Sequence, residues 1–171
     1  MELPQSPFEF TLSPPLLAQA FPFHFVLDKT CRVIQVGKTL QRLNPALLGS
    51  TLQEEFQIQR PSIQPEFDLI TQRSHHLFLL KSLKNDIVFK GQMAPLLDQD
   101  IIFFLGSPIV RDLTHLKAIR LKLKDFAIHD PITDFLLLLQ TKDRLMEELE
   151  EQEEELRQAL QEKEQIAASV R

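Results

Sequence analysis

The residues able to do chemistry are few and scattered in this chain. Histidine occurs five times, as His24, His75, His76, His115 and His129. His75 and His76 are adjacent, and in a strand neighbours point to opposite faces, so the pair cannot easily share one metal. No His-Glu-x-x-His motif is present. His129-Asp130 stands directly before Pro131, where a turn or helix cap is the simplest role. The single cysteine, Cys31, excludes an internal disulfide and any zinc-finger spacing. It reads as a small packed strand residue in a reducing cytosol. Gly37, Gly49, Gly91 and Gly106 form no phosphate-cradling loop, and Asp98 and Asp100 read as turn residues. Tyrosine and tryptophan are absent. No catalytic, cofactor-binding or metal-binding residue stands out, no cofactor is expected, and the chain reads as a non-enzyme.

What the chain has instead is phenylalanine and a lopsided charge. All 13 Phe lie at or before Phe135. Residues 1–141 carry 14 acidic and 14 basic side chains, whereas residues 142–171 carry 10 and 5, so the whole net charge of −5 sits in the last thirty positions. A balanced body with an acidic tail argues against nucleic acid as the main partner. The N-terminal stretch has Glu2, Pro4 and Pro7 and lacks the basic and apolar regions of a signal peptide. No apolar run approaches the roughly 20 residues of a membrane span. A cytoplasmic location is expected.

Hydrophobic spacing defines the elements that would have to position any site. Residues 1–20, with Pro4, Pro7, Pro14 and Pro15, read as a lead-in without regular helix, with a short edge strand at Phe8, Phe10 and Leu12 left open. Residues 21–36 suit a hairpin turning at Asp28-Lys29-Thr30. Residues 38–60 read as short helices and loops, with Ser50 or Thr51 as a cap, and Glu66–Gln72 as two helical turns. Leu77–Leu83, Ile87–Met93 and Ile101–Val110 read as a three-stranded meander, with Ile101–Leu105 buried on both faces. The order of two strands, short helices and three strands predicts an α+β domain over residues 21–110. Its core would be a five-stranded antiparallel, PAS-like sheet. Residues 111–130 read as a helical linker, with Leu113, Leu116, Ile119 and Leu123 at helical spacing.

From Pro131 a long helix is expected to run to Val170. Roughly 40 residues at about 1.5 Å each reach near 60 Å, longer than a domain this size needs for itself. Such a helix implies another chain or domain. A heptad register uses Phe135, Leu138, Leu145, Leu149, Leu156 and Ile166 but places Lys142, Gln152 and Lys163 in the seam. An 11-residue register gathers Leu138, Leu149 and Leu160 in one row and Leu145, Leu156 and Ala167 in another. The first gives a left-handed supercoil and the second a slightly right-handed one, and both stay open. In a parallel heptad dimer Glu148 meets Glu153 of the partner helix and repels it by about a few tenths of a kcal/mol if exposed. Pairing by the helix alone is therefore expected to be weak.

Several short strings then appear in order: Phe21-Pro22-Phe23-His24-Phe25-Val26-Leu27-Asp28, Arg60-Pro61, Phe67-Asp68-Leu69-Ile70, Lys90-Gly91-Gln92-Met93, Phe104-Leu105-Gly106-Ser107-Pro108 and Phe126-Ala127-Ile128-His129-Asp130. They resemble the heme–nitric oxide binding associated domain of soluble guanylate cyclases and of bacterial sensor histidine kinases. The resemblance runs from about residue 20 to the end. It implies a PAS-like dimerisation domain with a signalling helix, 131–171, coupling a heme gas sensor (NO or O2) to an output domain. The family's heme domain is separate and carries a Tyr-x-Ser-x-Arg motif that a chain without tyrosine cannot hold.

The expected function is a regulatory dimerisation module acting in nitric oxide signalling. It would form a homodimer or a related-chain heterodimer, with the heme sensor domain in cis or in trans and an output signalling domain. Leu138, Leu145, Leu149, Leu156 and Leu160 are the expected helix interface, and His129, Asp130 and Pro131 the joint between domain and helix. The alternative is a PAS-type sensor holding a small ligand in a Phe-lined pocket.

Overall fold

The computed structural model describes residues 12–170. The edge strand considered at Phe8 and Phe10 lies outside the described residues. The chain divides into two compact units, with the boundary at Asp130/Pro131.

The first unit is built on one sheet. Its strands are β1 (Phe25–Leu27), β2 (Val33–Val36), β3 (Phe56–Arg60), β4 (Leu77–Ser82), β5 (Val88–Leu96) and β6 (Ile101–Pro108), in the order β2-β1-β6-β5-β4-β3. Every pairing is antiparallel. The sheet therefore has six strands rather than five. The extra one, β3, comes from a segment read as helix and loop. Phe56 and Ile58 do alternate with Gln57 and Gln59, but so short and polar a run has no periodicity that stands out. Its pairing with β4, Phe56 opposite Ser82 and Ile58 opposite Leu80, makes it an edge strand.

The helices are α1 (Pro14–Ala20), α2 (Lys38–Leu43), α3 (Leu52–Glu55), α4 (Phe67–Gln72) and α5 (Leu113–Ala118). The first corrects the reading of the lead-in as free of regular helix. Pro14 and Pro15 occupy its first two positions, where a backbone N–H has no helical acceptor to lose. The Ser13 hydroxyl accepts from the Leu16 amide at 3.4 Å, and Leu17 is buried. Thr51 is the N-cap of α3, and its amide donates to the Glu54 carboxylate at 2.8 Å. The helix expected to continue through Leu123 stops at Ala118. Arg120 turns left-handed (φ 59°), and Leu121 donates back to the Leu116 carbonyl.

Two smaller readings change as well. Ile101–Leu105 is not buried on both faces: Ile102 and Phe104 are buried, while Ile101, Phe103 and Leu105 are half-buried. Cys31 lies in a turn at φ 57° rather than in a strand, and burial with the nearby Asp28 and Glu66 charges pushes its thiol up to about 11.

The core is a continuous series of phenylalanine rings. Phe104 stacks on Phe25 (4.9 Å between centroids) and Phe25 on Phe56 (5.5 Å). Phe56 meets Phe89 edge-on at 5.9 Å, Phe89 lies 6.3 Å from Phe23, and Phe23 lies 5.2 Å from Phe126. Offset and edge contacts of this kind add to the area the rings bury. The space for Phe104 is made by two glycines opposite each other, Gly91 on β5 and Gly106 on β6. A Cβ on Gly106 would lie 2.7 Å from both the Gly91 Cα and the Phe104 ring, and would also press on the Lys90 carbonyl. Gly106→Ala is therefore expected to destabilise the fold by about 1–3 kcal/mol, read as a lower urea midpoint.

The second unit is a single helix, α6 (Ile132–Ser169), of 38 residues. At about 1.5 Å per residue it is close to 57 Å long. No helix among the described residues is long and apolar enough to cross a membrane.

Candidate functional site at the joint and the terminal helix

Residues of the first unit anchor the segment that leads to Asp130. Asp125 is nine-tenths buried and ion-paired to Arg42 of α2 at 2.9 Å. Its carboxylate also accepts from the Lys122 amide at 2.7 Å, closing a 3-10 turn over Leu123–Asp125. Phe126 follows at once and enters the ring series through Phe23. His129 sits edge-on to Phe21 at 6.3 Å, and the Asp130 amide donates to the Ala127 carbonyl at 3.0 Å. In the second unit Pro131 is the N-cap of α6, and its carbonyl accepts from the Phe135 amide at 3.0 Å.

The segment under His129 is held by a buried histidine. His24 Nδ1 lies 2.8 Å from the Phe21 carbonyl, and Nε2 lies 3.2 Å from the Gln35 amide nitrogen. A carbonyl only accepts and an amide NH2 only donates, so this geometry selects the neutral ring with its proton on Nδ1. Burial lowers the His24 pKa, partly offset by the Phe21 bond. His24 is thus a satisfied structural histidine. His75 and His76 lie in a turn rather than a strand, and their rings approach to 4.2 Å instead of pointing apart. No group of three or more metal-ligating side chains occurs among the described residues.

Burial alone would raise the Asp125 pKa. Hydrogen bonds from Arg42 and the Lys122 amide, with the Arg42 and Lys124 charges, outweigh it and leave the pKa below its ordinary value of 3.8. A carboxylate with a lowered folded pKa stabilises the fold fully above the unfolded value, and that stability is lost as pH falls through the folded one. Acid titration of the urea midpoint should therefore show a loss below pH 3.8 that is smaller in Arg42→Ala. Equal losses in both proteins would remove Arg42 as the cause.

On α6, Leu138, Leu145, Leu149, Leu156 and Leu160 are each more than half exposed. At about 100° per residue these five and Ala167 fall within about 60° of arc. They form one exposed leucine row, in whose arc Lys142 and Lys163 also fall. Sequence reasoning named these leucines but not the Arg42–Asp125 pair or the hydrogen bonds of His24 in the first unit. His24 lies inside one of the strings singled out above, and Asp125 directly precedes another, Phe126-Ala127-Ile128-His129-Asp130.

The profile of the heme NO binding associated family matches residues 10–87 and 81–169. This chain belongs to that family. The chain is 32% identical over 157 residues to guanylate cyclase soluble subunit beta-2 of Rattus norvegicus, covering 83% of this chain and 23% of that protein. It is 31% identical over 145 residues to guanylate cyclase soluble subunit alpha-2 of Homo sapiens, covering 78% and 20%. It is 30% identical over 135 residues to guanylate cyclase soluble subunit alpha-1 of Rattus norvegicus, covering 72% and 20%. The chain thus spans less than a quarter of the length of these relatives. The heme NO binding associated match extends over both units, from the phenylalanine core to the leucines of α6.

Proposed function

We propose that this chain is a non-catalytic regulatory and dimerisation module in nitric oxide signalling. It would couple a heme gas-sensor domain to an output domain such as a guanylate cyclase or a histidine kinase. The observation that carries this reading is the family match across both units, ending on a 38-residue helix with an exposed leucine stripe. The first unit supports it by its element order, two strands, short helices and three strands. That order fits a PAS-like ground plan with β3 added at the edge.

In this reading the module works in the cytoplasm as a homodimer or a related-chain heterodimer. Leu138, Leu145, Leu149, Leu156 and Leu160 pair in a coiled coil, and a face of the sheet adds to the dimer. His129, Asp130 and Pro131 pass movement of the first unit to the helix. The straight stripe favours the 11-residue register, whose rows stay aligned with little supercoiling. Light scattering of the full chain against a Leu149→Asp/Leu156→Asp chain tests the pairing, and two monomers at high concentration would sink it.

The rival ligand-sensor reading gains little. The Phe rings pack on one another, and an open cleft of about 630 Å3 beside His24 has a mixed lining that includes Pro14, Pro22, Gln35, Lys38 and Asp125, with Phe126 its one phenylalanine. A Soret band or a co-purified ligand would turn the choice toward it.

A further inference from the structure

Two arginines from distant parts of the chain wall one cleft of the first unit. The cleft holds about 610 Å3 and lies between three elements. Arg42 and Leu43 come from the end of α2, Asn85 and Ile87 from the turn between β4 and β5, and Ile119 and Arg120 from the close of α5. Among the described residues, each polar side chain lining it offers hydrogen-bond donors. Arg42 gives one nitrogen to Asp125, and a guanidinium has five N–H groups, so others stay available. Arg120 has no ion pair among the described residues. The Asn85 side-chain oxygen accepts from the Ile87 amide at 3.2 Å, which leaves its NH2 as a donor. The carboxylates next to these residues are engaged, Asp125 with Arg42 and Asp86 with Lys81 at 3.1 Å. The last carbonyls of α5 bring only partial negative charge, less than one guanidinium.

The backbone supplies a second observation. Arg120 adopts φ 59°, a conformation that glycine takes without strain and other L residues take at a cost. Strained residues of this kind cluster at ligand sites, and here the strained residue carries the unpaired guanidinium. A carboxylate has two oxygens, and a single guanidinium fork satisfies it. Two guanidiniums and an amide suit a phosphate group, with three terminal oxygens and nearly two charges at neutral pH.

We infer that this cleft binds a small phosphate monoester. Arg42 and Arg120 hold the phosphate, and the apolar body lies against Leu43, Ile87 and Ile119. The cleft contains no phenylalanine, and its occupancy does not depend on pairing of α6.

The probe is phenyl phosphate, titrated calorimetrically into the full chain near neutral pH at low salt. One saturable site per chain is expected, weakening as salt approaches 1 M, where the Debye length is about 3 Å. Benzoate and inorganic phosphate should each bind at least about tenfold more weakly, the one lacking the phosphate and the other the apolar body. Arg120→Gly should lower the affinity for phenyl phosphate at least about tenfold, the loss of one charge-assisted contact. Its urea midpoint should stay equal or rise, because glycine relieves the left-handed position. Arg120→Asn tolerates the same conformation and should lose affinity alike. Arg42→Lys keeps the charge without the fork and should also bind more weakly. Phenyl phosphate that does not saturate, or that binds both Arg120 variants as tightly as the original chain, would overturn the inference. Benzoate or inorganic phosphate binding as tightly as phenyl phosphate would overturn the choice of a phosphate monoester.

Discussion

Replacing Leu149 and Leu156 together by aspartate is expected to weaken self-association of the full chain at least about 100-fold. Burying one leucine is worth about 1.5–3 kcal/mol, and a tenfold change in dissociation constant corresponds to about 1.4 kcal/mol. Two leucines removed from each helix therefore exceed the hundredfold mark before the new charges are counted. The measurement belongs in salt near 1 M, where the Debye length is about 3 Å and glutamate repulsion no longer masks the apolar contribution. Asp at Glu147 and Glu154, on the opposite side of the helix, keeps the charge and should leave association unchanged. If both chains lose association equally, helix content rather than the stripe is being measured. If neither loses it, the helix does not pair the chains.

Phe104→Ala is expected to cost about 3–5 kcal/mol of stability, the range for deleting a buried aromatic side chain from a packed core. The site cannot collapse easily. Phe104 is fully buried and stacks on Phe25 at 4.9 Å. Its ring lies beside Gly91 and Gly106, which have no side chains to move into the gap. Against an ordinary domain stability of about 5–15 kcal/mol this is a large share, so the urea midpoint should fall steeply. A loss below about 1 kcal/mol would mean that neighbouring rings refill the space, contrary to the close packing described.

The sequence made some of this architecture visible and hid the rest for physical reasons. Phe78 and Leu80 on β4, and Ile102 and Phe104 on β6, alternate with less buried neighbours, so the meander was legible from period two. The terminal helix was legible because its leucines recur at four- and seven-residue steps through a glutamate-rich background. Strand β3 was not legible, because an edge strand needs little apolar surface and Gln57 and Gln59 dilute its alternation. Helix α1 was hidden by Pro14 and Pro15, which forbid a helix interior but suit a helix start. His129, Asp130 and Pro131 are adjacent in sequence, but the Arg42–Asp125 pair joins residues far apart in the chain, and no local period relates them. The start of β4 at Leu77 was legible, whereas the turn that brings the His75 and His76 rings together has no period to announce it.

The ring series from Phe104 to Phe126 also sets how the first unit responds mechanically. Its contacts span interplanar angles from 15° to 88°, so no single orientation is required of a ring. None of the six rings has a hydroxyl or an N–H that would fix it by a directional bond. Dispersion depends on separation far more than on the angular alignment that governs hydrogen bonds. The series is therefore compliant to small twists and stiff to loss of volume. A torque applied at Phe126 would be taken up by rings turning against one another, whereas a void opened anywhere along the series would be felt at both ends.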